Sequence, residues 1–228
     1  MRVPRGGAAV AVLFGIVAAC GGGTSGPATG DVQGLVRDTT SAALEEVTVL
    51  LRNAGTLTTV RAVATSAAGA YSFVGVATGS YDVVIQEPPA MQVVGTNLVN
   101  VSVTGGGMAS ANVSMRFLPV SFGTHVQALF TASCASGGCH AGASPQQGMN
   151  LSAGQAYTNT VNVASVELAA MDRIEPSEPD SSYLVHKINN THITAGGSGA
   201  RMPSGAPQLP LQTRRMVQRW VSEGAQNN

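Results

Sequence analysis

Cys134, Cys139 and His140 are the residues of this chain whose types and spacing best suit chemistry. Each thiol can add across one vinyl group of a porphyrin while the adjacent imidazole swings under the iron, which is what covalent attachment of a c-type haem requires. The familiar form of that signature has two residues between the cysteines, whereas four intervene here. Ala135, Ser136, Gly137 and Gly138 are all small, and the two glycines tolerate positive φ, so the backbone can buckle outward to absorb the extra length. His140 is then the expected proximal iron ligand. Two other chemistries suit the same donors. A disulfide between Cys134 and Cys139 is sterically allowed in an oxidising compartment, and zinc could take the same groups, although structural sites want four ligands and no second cysteine pair exists.

A second candidate donor to iron lies some sixty residues later. Met202 lies between Gly196-Gly197-Ser198-Gly199 and Pro203-Ser204-Gly205. Those flanks describe an exposed loop, where a thioether has little packing role, so distal ligation is its expected function. His125, His186 and His192 are rivals that would give bis-histidine iron, although His186, beside Lys187, also reads as an ordinary surface residue of a helix. A thioether raises the potential relative to imidazole, so Met/His coordination implies a relatively oxidising carrier. Arg173 and Arg201 match the geometry of haem propionates; both equally suit an ordinary surface. With both axial positions filled, no open site remains for substrate, so the expectation is an electron carrier rather than an enzyme. Peroxidase-like activity would require Met202 to leave the iron.

The amino terminus sets the compartment. Arg2 and Arg5 precede an apolar run over residues 8–19, too short to span a bilayer but suited to a signal-peptide core. It ends in Val17-Ala18-Ala19-Cys20, which resembles a bacterial lipobox. The resemblance implies cleavage before Cys20, acylation of that cysteine and stable anchoring in the bilayer by two or three chains. A plain signal peptide with an unmodified cysteine is the other reading. One thiol for lipid and two for haem account for all three cysteines. Gly21 lacks the aspartate that resembles an inner-membrane retention signal in enteric bacteria, which favours the outer membrane of a bacterial cell envelope.

Composition excludes some classes. The 228 residues carry a formal charge of zero, falling to minus two once Arg2 and Arg5 leave with the leader, and no basic stripe argues for nucleic acid. Only 11% of residues are charged and 28 are glycine, which suits two modest domains better than one large one.

Residues 31–117 read as short β-branched runs separated by Gly, Thr, Ser and Asn. Runs around Val32, 47–51, 71–73, 81–85, 98–103 and 110–115 recur with turn signals between them, which predicts an antiparallel β-sandwich of about seven strands. Leu118-Pro119-Val120 closes this texture, giving a linker over 118–121. A helix opening at Phe122 then carries Val126, Leu129 and Phe130 at helical spacing up to the thiol loop. Further helices are predicted near 153–157, over 181–188 with Asp180 as cap, and over 210–224 with Met216, Val217, Trp220 and Val221 on one face.

Residues 31–117 resemble the carboxypeptidase regulatory-like family through Gly34-Leu35-Val36-Arg37-Asp38, Thr65, Gly69-Ala70-Tyr71-Ser72-Phe73 and Gly79-Ser80-Tyr81. That implies a sandwich without implying an activity. Tyr71, Phe73 and Tyr81 suit either a sugar-stacking platform or, more ordinarily, the core. Residues 122–228 resemble exported single-haem cytochrome c-like domains through the thiol loop, Gly148-Met149-Asn150-Leu151, Arg173-Ile174-Glu175-Pro176, Ser182-Tyr183-Leu184, Arg201-Met202-Pro203 and Trp220-Val221-Ser222-Glu223-Gly224. The resemblance implies one covalent haem c, His140 and Met202 as iron ligands, and redox partner proteins. The chain is thus expected to comprise a signal peptide (1–19), a lipidated tether (20–30), an all-β sandwich (31–117), the linker, and a small all-α haem domain (122–228). The alternative is a haem-free surface or periplasmic module with a Cys134–Cys139 disulfide, its sandwich binding carbohydrate or protein.

Overall fold

The computed structural model describes residues 28–228. The expected leader, the lipobox cysteine Cys20 and most of the tether lie outside the described residues. Among those described, no helix is long and apolar enough to cross a membrane.

Nine strands build the first unit: β1 (Thr29–Asp38), β2 (Thr48–Asn53), β3 (Thr59–Ala64), β4 (Ala70–Ala77), β5 (Gly79–Ile85), β6 (Met91–Val93), β7 (Leu98–Val103), β8 (Met108–Ser110) and β9 (Val113–Phe117). They form two sheets, one ordered β4-β1-β9-β6 with β8 also on β1, the other ordered β3-β2-β5-β7. Alternate residues of the strands turn inward, so Val32, Val36, Val49, Leu51, Val83 and Met115 are fully buried between the sheets. The unit is a β-sandwich, but not a wholly antiparallel one. β1 pairs in parallel with β8 and then β9 along one edge, while β4 runs antiparallel along the other.

Two other differences from the sequence reading have local causes. β3 shows no buried alternation, because it is an edge strand exposed over nearly its whole length. The run at 110–115 is broken into β8 and β9, and in the gap Tyr71 donates to the Ala111 carbonyl at 2.5 Å while Asn112 Oδ1 accepts the Leu35 N–H at 2.9 Å. Gly34 is required beside that gap, since a Cβ there would lie 1.9 Å from the Ala111 oxygen. Tyr71, Phe73 and Tyr81 all belong to the core, with Tyr71 and Phe73 meeting edge to face at 5.8 Å. They form no exposed stacking platform.

The second unit is helical. A π-type turn, Phe122–Val126, runs into α1 (Gln127–Ser133), followed by α2 (Ala156–Thr160), α3 (Tyr183–Asn189) and α4 (Leu211–Ser222). α2 and α3 each begin later than their sequence periodicity suggests. At α3, Pro179–Ser181 forms a 3-10 turn and Ser182 occupies the position before the helix, so Asp180 is not its cap. Met216, Val217, Trp220 and Val221 turn to the core as the pattern predicts. Trp220 is completely buried, stacks against Phe122 at 5.4 Å and donates Nε1–H to the Gln226 carbonyl.

α4 also ties the two units together. Its first-turn N–H groups have no intrahelical acceptor, and the Leu211 N–H is taken by Glu46 Oε2 of the sandwich at 3.0 Å. Gln212 reaches the Glu45 carbonyl, and Arg219 both donates to the Ala90 carbonyl and stacks over the Phe117 ring.

Candidate cofactor-binding site

The thiol loop leaves α1 directly. Both Cys134 and Ala135 N–H groups bond the Phe130 carbonyl, which closes the helix. The His140 N–H then returns to the Cys134 carbonyl at 3.2 Å, and the Cys139 N–H bonds the Ser136 carbonyl at 3.1 Å. The four intervening residues therefore loop outward, between ends held together. Only Gly138 of the two glycines takes positive φ, at 80°. Cys134 and Cys139 are free thiols, the first partly buried and the second exposed. Burial, together with the charge of Cys139, pushes the Cys134 thiol up to about 11.

His140 is 6% exposed, and its Nδ1 lies 3.2 Å from the Met149 carbonyl. A carbonyl can only accept, so Nδ1 carries the proton and the neutral ring keeps a lone pair at Nε2. Burial holds the imidazole below the ordinary histidine range, opposing protonation of that lone pair.

These groups converge on a cavity of about 610 Å³ between the thiol loop, α3 and α4. Its wall includes Cys134, Cys139, His140 and Met202, drawn from segments some sixty residues apart. Leu129, Phe130, Leu151, Leu184, Ile188 and Val217 supply an apolar lining. Met202 is half-buried against the helical core rather than standing on an exposed loop as its flanks suggest.

The other expected site residues separate. Arg173 lines the cavity, but its two terminal nitrogens donate to the Asn159 and Gln147 carbonyls at 2.7 and 2.8 Å, bracing the wall. Arg201 is not part of the wall; its Nη2 donates to the Ala206 carbonyl at 2.7 Å. The three rival histidines are also elsewhere. His186 has both ring nitrogens engaged, with Thr191 and the Asp180 carbonyl, while His125 accepts the Ser121 N–H and His192 meets the Gly199 carbonyl. Among the described residues, no three His, Cys, Asp or Glu side chains come together in a metal-binding group. The sequence reading missed one component: the ion pair of Lys187 and Glu167, 2.6 Å apart, which borders the cavity. Lys187 was visible only as a helical neighbour of His186.

Residues 28–115 match the family described as BOS complex subunit NOMO1-like, second beta sandwich domain. The match stops before the helical unit. Among solved structures, the minor pilin GBS52 of Streptococcus agalactiae is similar at 17% identity and a TM-score of 0.37, over 40% of this chain and 46% of that one. The group B streptococcus pilus 2b backbone protein is similar at 18% identity and a TM-score of 0.33, over 40% and 42%. A DUF3823 family protein from Bacteroides uniformis ATCC 8492 is similar at 17% identity and a TM-score of 0.30, over 38% and 43%. The chain thus spans less than half the length of each of these structures. No curated protein matches it. By its own topology and by the family it matches, the N-terminal unit is a β-sandwich.

Proposed function

We propose that the helical unit holds one covalent haem c and that the protein passes single electrons. The observation that carries this reading is the convergence of two free thiols, a histidine whose Nδ1 is held by the Met149 carbonyl and a methionine on one apolar cavity. The residues present fit the group. The cavity volume lies in the range of cofactor pockets, about 300–1,000 Å³, and the donors are one imidazole and one thioether with sulfurs beside them. Bound there, haem would supply a one-electron iron couple. Each thiol would add its S–H across one vinyl double bond, the hydrogen going to the other vinyl carbon. His140 and Met202 are the residues that would hold its iron, and the apolar walls would exclude water. Arg173 acts by holding the 147 and 159 carbonyls in place.

In this reading the sandwich is a spacer or docking module, and Cys20 tethers the protein to a bacterial outer membrane, where it meets redox partner proteins. A second reading is a haem-free surface module with Cys134 and Cys139 oxidised to a disulfide and a carbohydrate or protein bound by the sandwich. The match of residues 28–115 to a β-sandwich family favours it, because that match involves nothing of the helical unit.

One experiment separates the two. Residues 21–228 are exported in a host competent for c-type cytochrome maturation, and the denatured product is weighed and its haem absorbance recorded. A mass gain of one haem that survives denaturation is expected. A haem-free chain lighter by two hydrogens would replace the first reading by the second.

A further inference from the structure

The loop that carries Met202 is fastened by a buried polar cluster that neither axial ligand nor thiol needs for its own chemistry. Lys187 and Tyr183 of α3 are 6% and 4% exposed, too deep for ordinary surface groups. Lys187 Nζ donates to Glu167 Oε2 at 2.6 Å and to the Ser198 carbonyl at 3.0 Å. The Tyr183 hydroxyl lies 3.0 Å from the same Glu167 oxygen and accepts the Ser198 N–H at 3.1 Å. Ser198 is therefore gripped at both its N–H and its carbonyl. Four residues later, the Met202 N–H bonds the main-chain carbonyl of Lys187 at 3.0 Å, a last-turn helix carbonyl that lacks an intrahelical partner.

The glycines of this loop take their place from the same cluster. A Cβ on Gly197 would lie 2.3 Å from the Tyr183 oxygen, and one on Gly199 would lie 2.6 Å from Glu167 Oε1 and 3.1 Å from Lys187 Nζ. The backbone can approach so closely only because both positions lack side chains.

We infer that Lys187, Glu167 and Tyr183 are positioning residues that hold the Met202 loop against the cavity and so keep the thioether on the iron. The inference rests on the haem reading above. A buried charge is retained where it is paired and fully hydrogen-bonded, and here the pairing is spent on a loop whose distinctive feature is Met202. Breaking the cluster should free that loop while leaving covalent attachment at the thiol loop untouched. Loss of a group that orients a ligand typically weakens ligation by about 10–100-fold.

The test uses the matured full chain with Glu167→Gln, Lys187→Met and Tyr183→Phe. Covalent haem is measured by pyridine haemochrome, distal ligation by the far-red sulfur-to-iron band of the ferric protein, and lability by the carbon monoxide affinity of the ferrous protein. Expected is wild-type haem content in the variants, a weakened or lost sulfur-to-iron band, and a carbon monoxide affinity raised about tenfold or more. Variants that keep haem, the sulfur-to-iron band and wild-type carbon monoxide affinity would overturn the inference alone. Loss of haem in all three variants, with wild type still loaded, would assign the cluster to folding and overturn it too. A wild-type protein without haem would overturn both this inference and the reading beneath it.

Discussion

His140 Nδ1 lies 3.2 Å from the carbonyl of Met149, nine residues further along the chain. That contact fixes the tautomer, and the burial that accompanies it keeps the ring neutral. In the haem-free chain it also makes stability depend on pH. An imidazole whose folded pKa is depressed binds fewer protons folded than unfolded, so its contribution is complete above the ordinary histidine range and is lost as pH falls through that range. Urea midpoints of the haem-free protein should therefore decline from pH 7 to pH 5, and His140→Gln should flatten that part of the profile. An unchanged slope in the variant would show that another group carries it.

The two thiols should differ in reactivity in the haem-free chain. Cys139 is exposed, whereas the Cys134 thiol is pushed up to about 11. Only the thiolate attacks, and a thiol held at about 11 presents about a hundredfold less of it at pH 8 than an ordinary one. Iodoacetamide at pH 8 should label Cys139 first, read by peptide mass spectrometry, and labelling of Cys134 should accelerate as pH rises towards 11. Equal rates at pH 8 would contradict the buried setting of Cys134.

Glu46 connects the sandwich to the helical unit by accepting the first N–H of α4. A carboxylate at a helix N-terminus satisfies an orphan donor and favours the dipole, together worth about 0.5–1 kcal/mol at an exposed site. Glu46→Ala should lower the unfolding free energy of the helical unit by that amount, followed by far-UV circular dichroism at low salt. Added salt should shrink the difference between wild type and variant.

The rim of the cavity is nearly devoid of charge. Ser136, Gly138, Cys139, Gln146, Gln147, Ser204 and Ala206 are exposed and neutral, while Arg173 and Lys187 are buried and hydrogen-bonded and the half-buried Glu167 is paired with Lys187. Charged rims accelerate encounter in a salt-dependent way. Haem bound there would add two propionate carboxylates that neither Arg173 nor Arg201 is free to neutralise, so electron exchange with the trianion ferricyanide should quicken from low to physiological salt in stopped-flow measurements. A rate that salt leaves unchanged would place the electron exit elsewhere on the surface.

Some of this was decided along the chain and some only in three dimensions. Turn residues between β-branched runs announced the sandwich, because alternation records a strand with one buried face. The edge strand β3 escaped because it buries almost nothing, and the parallel pairing of β8 and β9 with β1 escaped because periodicity says which face is inward and not which strand lies alongside. The thiol loop and His140 were legible as a candidate site because they lie within seven residues of one another. Met202 was legible as a candidate through its flanks, yet its half-buried setting came from packing. Arg173 and Arg201 looked alike in sequence, and only folding put one into the cavity wall and turned the other to the Ala206 carbonyl. Lys187, Glu167 and Tyr183 were opaque for the same reason. A buried ion pair is defined by burial and partner distance, and both arise when distant segments meet.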